Sequence, residues 1–144
     1  MTQWLLLVYK VPSEPSAGRV YVWRKLKRLG AILLHDAVWV LPATSRTREQ
    51  FQWLATEIHD LGGRALLWEA NEAFTGQDAG LVEQFTTQVD AEYRGILAEL
   101  DKPDADLAGL SRRYQQVKSQ DYFDSQLGQQ VRERLISARG GDDQ

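Results

Sequence analysis

Cysteine is absent from this sequence, and histidine (two), methionine (one) and proline (four) are scarce among its 144 residues. Without thiols, a disulfide scaffold, a zinc ribbon, iron–sulfur ligation and thiol catalysis are all excluded. Long hydrophobic runs are also lacking. The longest, Trp4 to Tyr9, falls far short of the roughly 20 residues that cross a bilayer. Only Thr2 and Gln3 stand between Met1 and that run, so the basic stretch of a secretory signal is missing. A cytoplasmic protein with no membrane partner is expected. Neither a repeat of solenoid period nor a low-complexity tract is visible. What the chain does contain is 43% hydrophobic residues with five tryptophans, enough for a packed core and too much for wholesale disorder.

Charge is unevenly placed. The net of −3 hides a first segment, residues 1–30, that carries Lys10, Arg19, Arg24, Lys25, Lys27 and Arg28 against Glu14 alone. The remainder is acidic. A basic footprint spread over the whole molecule is therefore absent, and a local one is present.

Trp4 to Tyr9 reads as a strand that ends in the turn-rich stretch Val11 to Gly18. A helix follows from about Arg19 to Leu29, with Val22, Trp23, Leu26 and Leu29 on one side and Gly30 as its stop. Ala31–Leu34 is a second strand, joined by a tight connection at His35-Asp36 to a third, Ala37–Leu41. Thr44 or Ser45 caps the next helix, whose stripe of Phe51, Leu54, Ile58 and Leu61 ends at Gly62-Gly63. Arg64 to Glu69 is a fourth strand. The order β-α-β-β-α-β predicts an α+β, ferredoxin-like sandwich over residues 1–70. Beyond it, Val82, Phe85, Val89, Tyr93, Ile96 and Leu100 form one helical stripe. Leu107, Leu110, Tyr114 and Val117 form a second, and Leu127, Val131 and Leu135 a third. A C-terminal appendage of two to three helices is thus expected over 71–139, with a disordered tail at 140–144.

The strands do not alternate apolar with polar residues, as they should if one sheet face met water. We expect the second face to be covered, by a partner subunit or by the helices after Asp78; a homodimer is one such arrangement.

Three stretches carry a family resemblance: Trp4 to Ser16, Arg19 to Gly30 and Val38 to Pro42. Together they resemble the N-terminal region of ChrB, a family of bacterial chromate-resistance operons. The likeness continues through Trp53–Ile58, Leu61–Gly63 and Glu69-Ala70, and more loosely at Asp90–Tyr93 and Gln120–Asp124. It implies a chromate-responsive regulator of a resistance operon, active in transcription regulation and the stress response. The family pattern runs on into a second domain. The sheet also resembles that of the phenylacetate-pathway repressor and, more distantly, the small ferredoxin-like subunit of CRISPR adaptation complexes.

Two constellations point to anions. On the first helix Arg24 and Arg28 stack at i, i+4 opposite Val22, Leu26 and Leu29, with Lys25 and Lys27 beside them, and no carboxylate lies between Arg19 and Leu34. Arg19, Arg24, Lys25, Lys27 and Arg28 are the candidate contacts to promoter DNA phosphates, with a solvated helix face as the plain alternative. In the loop before that helix, Lys10, Ser13, Ser16, Gly18 and Arg19 are candidates for a tetrahedral dianion such as chromate or sulfate. Here the plain alternative is a rigid loop with Ser16 as N-cap.

Catalytic signals are missing. His35 sits in a turn, His59 on the polar side of a helix, and no HExxH, P-loop or GxSxG pattern occurs. Where the CRISPR subunit carries an aspartate at the end of its first strand, this chain has Tyr9-Lys10, a cation in place of a metal-binding carboxylate. No catalytic residue, metal site or cofactor is expected, so a nucleic-acid-processing enzyme ranks behind a DNA-binding module. The other alternative is a protein-interaction module that pairs with itself or with a separately encoded ChrB C-terminal domain. Trp53, out of register with its helix's core stripe, is a candidate exposed contact.

Overall fold

The computed structural model describes residues 2–35 and 38–141. The chain divides into two compact units, Met1–Asp78 and Ala79–Gln144. The first holds β1 (Trp4–Lys10), α1 (Ser16–Leu29), β2 (Ile32–Leu34), β3 (Val38–Pro42), α2 (Ser45–Asp60) and β4 (Arg64–Ala70). Its strands form one antiparallel sheet of order β2-β3-β1-β4, the ferredoxin-like arrangement that the element order predicts. His35 takes the left-handed conformation at φ 49° after β2. The rest of the expected connection, Asp36 and Ala37, lies outside the described residues.

Local chemistry accounts for the helix limits. α1 begins at Ser16, three residues before the expected Arg19, with Pro15 at the N-cap and no side chain bonded there; Ser16 is inside the helix and does not cap it. Gly30 closes it at φ 78°, its N–H donating to Lys27 O at 3.1 Å while Ala31 N–H donates to Leu26 O at 3.1 Å. α2 starts on a reciprocal cap: Thr44 Oγ1 accepts from Thr47 N–H at 3.0 Å, and Thr47 Oγ1 accepts from Thr44 N–H at 2.8 Å. Phe51, Leu54 and Ile58 are buried as their spacing requires, whereas Leu61 is exposed at the C-cap.

Register sorts the strand residues into two faces. Leu7 lies opposite Trp39 and Leu67, Leu5 opposite Leu41 and Glu69, and Leu33 opposite Trp39, so all of these share one face. α2 reaches that face through Arg48, which is ion-paired with Glu69. Leu6, Val8, Val40, Leu66 and Trp68 belong to the other face. That face is uneven: Val40 is fully buried, while Leu66 and Trp68 on edge strand β4 are more than half exposed.

Gly63, in the turn before β4, lets that strand start close against β1. A Cβ there would overlap the Lys10 carbonyl oxygen and stand 3.0 Å from both Ile58 Cγ2 and Val11 Cγ1. Backbone cannot yield as a side-chain tip can. Gly63→Ala is expected to cost about 1–3 kcal/mol, read as a lowered urea midpoint with unchanged m-value.

The second unit consists of α3 (Gln77–Leu100), α4 (Leu107–Lys118) and α5 (Gln126–Gly141), with α3's first two residues counted in the first unit. The three sequence stripes meet in one core, where Val89, Tyr93, Ile96, Leu110, Tyr114, Val117, Val131 and Leu135 are buried. Phe85 packs against Tyr122 and Phe123, each ring centroid 6.0 Å away. Gly140 and Gly141 belong to α5; the rest of the expected tail, 142–144, lies outside the described residues.

Candidate functional site

α1 buries Val22 and Leu26 completely and turns its cations outward. Arg24, Lys27 and Arg28 are exposed and Lys25 is half-buried. One turn apart along the helix, Tyr21, Arg24, Lys25 and Arg28 surround a hollow of about 370 Å³. The Tyr21 hydroxyl donates to Glu57 of α2, a bond that holds this phenol above its ordinary pKa and tethers the two helices at the edge of the basic ridge. Lys27 lies over the Trp23 ring, its Nζ 5.9 Å from the centroid.

On the other flank of α1 opens a groove of about 870 Å³, within the size range of small-ligand sites (roughly 300–1,000 Å³). Three cations reach it: Lys10 from the end of β1, and Arg19 and Arg24 from α1. Ser13 and Ser16 supply hydroxyls. Tyr9, Trp23 and Trp39, with Val11, Val20 and Leu33, supply an apolar and aromatic wall. No carboxylate lines the groove, and none of the three cations is in an ion pair among the described residues. Burial pushes the Tyr9 phenol above its ordinary pKa, against the opposing pull of the Trp39 hydrogen bond and of the Arg19 charge. Tyr9 therefore stays neutral and adds no negative charge to the groove.

The two candidate sets are brought together in part. Lys10, Ser13, Ser16 and Arg19 share the groove with Arg24 of the DNA-contact set. Gly18 is not among its lining residues; a Cβ there would meet Leu61 of α2 at 3.6 Å. Lys25 and Arg28 line the hollow beyond.

Trp23 departs from its expected place: it is 52% exposed on the groove side instead of buried beside Leu26. Besides Trp23, the lining residues that sequence reasoning missed are Val11 and Val20 and the strand residues Tyr9, Trp39 and Leu33. For the strand residues the only signal is parity, which places Leu33 and Trp39 on one face once β2 and β3 are paired. Trp53 is 65% exposed on α2, as its position outside the core stripe predicts. Among the described residues no group of three or more His, Cys, Asp and Glu is placed to hold a metal. Nor is any helix among them long and apolar enough to cross a membrane.

Fold and groove together define a ferredoxin-like α+β module with a cationic cleft beside its first helix. Residues 19–109 match the family described as Protein ChrB, N-terminal, and the chain belongs to that family. The match takes in Arg19, Arg24, Lys25, Lys27 and Arg28 and begins after Lys10, Ser13 and Ser16. Protein ChrB of Cupriavidus metallidurans is 31% identical over 121 residues, which cover 78% of this chain and 37% of that relative. The chain thus spans a little over a third of the relative's length. No solved structure matches the chain.

Proposed function

We propose that the chain is a non-catalytic regulatory module of a chromate-resistance system that works in the cytoplasm and binds operon DNA through α1. One observation carries this reading. Arg24, Lys25 and Arg28 converge on one side of a helix whose opposite side is buried, with Arg19 and Lys27 flanking them. A duplex offers a negative charge about every 1.7 Å along its axis, and a rigid cationic ridge meets it while releasing condensed counterions. Fluorescence anisotropy on a labelled resistance-operon duplex tests the idea. Binding should be clear at about 50 mM salt, much weaker at about 200 mM, and similar on random duplex.

If no duplex binds even at low salt, the DNA reading fails and a protein-interaction role takes its place, with this chain pairing with itself or with a ChrB C-terminal domain. That second reading draws support from Leu66 and Trp68, which are 57% and 58% exposed on an edge strand.

Chromate sensing belongs to the same proposal. A tetrahedral dianion in the groove would draw its countercharge from Lys10 and Arg19 and hydrogen bonds from the Ser13 and Ser16 hydroxyls, all of which line it. Calorimetric titration with chromate and with sulfate should release heat in the millimolar range. A flat titration of the folded chain would remove the idea.

A further inference from the structure

We infer that the groove between α1 and the β2–β3 edge holds a single nucleotide, its phosphate on Lys10 and Arg19 and its base against Trp23. The inference rests on the anion-binding reading of Lys10 and Arg19 and adds a ring to it. An inorganic dianion would leave most of this groove unused. Its needs end at the cations and hydroxyls, yet the walls are formed by Tyr9, Trp23, Trp39, Val20 and Leu33. A ligand that uses both halves must join a strong negative charge to a flat, largely apolar ring.

Trp23 is the surface for that ring. Half of it is exposed, unusual for the largest apolar side chain, and it stands on rigid helix rather than on a loop. Lys27 Nζ stands 5.9 Å from the indole centroid and adds a positive charge near the ring, which favours a ligand that carries phosphate. Arg24 reaches the same groove and can balance a second phosphate or lie flat on a base. Tyr9, kept neutral by its burial, accepts the Trp39 hydrogen bond and repels no anion. The nucleotide comes either from free solution or from an unpaired position in a single strand; both bring the same base and phosphate.

Isothermal titration of the full chain with AMP, with ribose 5-phosphate and with a short single-stranded oligodeoxynucleotide separates the outcomes. AMP should bind more tightly than ribose 5-phosphate, and Trp23→Ala should weaken AMP binding by roughly 5- to 150-fold, the usual worth of one base–aromatic stack. That variant removes an exposed ring, so its far-UV circular dichroism should match the parent's. Arg19→Ala should weaken AMP and ribose 5-phosphate alike. Strand binding that is lost in Trp23→Ala, with AMP silent, supports the proposal and makes the polymer its source. Equal affinity for AMP and ribose 5-phosphate would overturn the base contact and leave the anion reading standing. AMP affinity unchanged in Trp23→Ala overturns it as well. Silence from all three titrants overturns both.

Discussion

If the chain binds duplex DNA through α1 as proposed, replacing Arg24 and Arg28 together with alanine should leave the fold intact and remove much of that affinity. Both side chains are exposed, and exposed charges on a helix typically shift stability by only a few tenths of a kcal/mol. If each contacts one phosphate, the slope of log K against log salt shrinks by about 1.8. If parent and variant bind alike at 1 M salt, the same slope change amounts to roughly a sixty-fold loss at about 0.1 M. The loss should be equal for operator and random duplex, because phosphate contacts position a protein without reading bases. Lysine at both positions should restore most of the slope, since a phosphate needs charge there more than a particular fork. A double-alanine variant with the parent's slope would show that the ridge does not touch phosphates.

Tyr93 carries the other large effect. It is 1% exposed at the middle of the three-helix core, 6.2 Å from the Tyr114 ring, and its hydroxyl donates to Asp121 at 2.8 Å. Truncation to alanine should cost about 3–5 kcal/mol, as for other large buried rings. Phenylalanine is milder, about 1 kcal/mol, because Asp121 still accepts from the Ser125 N–H at 3.0 and 3.2 Å.

Alkali separates the variants further. Burial first, then the Asp121 hydrogen bond, holds the Tyr93 phenol well above its ordinary value of 10.0. The native chain thus keeps a proton that the unfolded chain releases. Stability that is complete below pH 10 is lost as pH rises, by at most about 1.4 kcal/mol per unit from this group. Urea midpoints measured upward from pH 9 should fall in the parent and fall less in Tyr93→Phe. Whatever slope remains there includes Tyr9, whose phenol is also raised.

Helices were legible in this sequence and the groove wall was not, for a definite physical reason. Phe51, Leu54 and Ile58, or Phe85, Val89, Tyr93 and Ile96, step at 3 and 4 residues, and each stripe is buried in the structure. Lys10, Arg19 and Arg24 could be picked out because an uncompensated cation is visible without any tertiary information. Trp23 could not. It follows Val22 by 100° around α1, and whether that angle is core or rim depends on how far the sheet extends beneath it. Trp39 and Leu33 are harder still, since both sheet faces are apolar and no alternation marks which residues point toward the helices. The early start of α1 has the same kind of cause: Pro15 supplies an extended residue at the cap without the polar side chain by which a helix start is usually recognised.

Asp78 has a consequence for anyone who would borrow the sheet unit as a building block. Its carboxylate accepts the Trp4 indole N–H at 2.8 Å and the Thr2 backbone N–H at 3.0 Å, while its own N–H donates to Glu72 at 2.8 Å. The last residue of the unit thereby fastens Thr2 and the start of its first strand. A fragment cut where β4 ends, at Ala70, would remove the Asp78 carboxylate from the buried Trp4 indole and from the Thr2 N–H, and with it a tie on the leading strand. For domain swapping, fusion or minimal-fragment screening, the sheet unit closes like a clasp at residue 78.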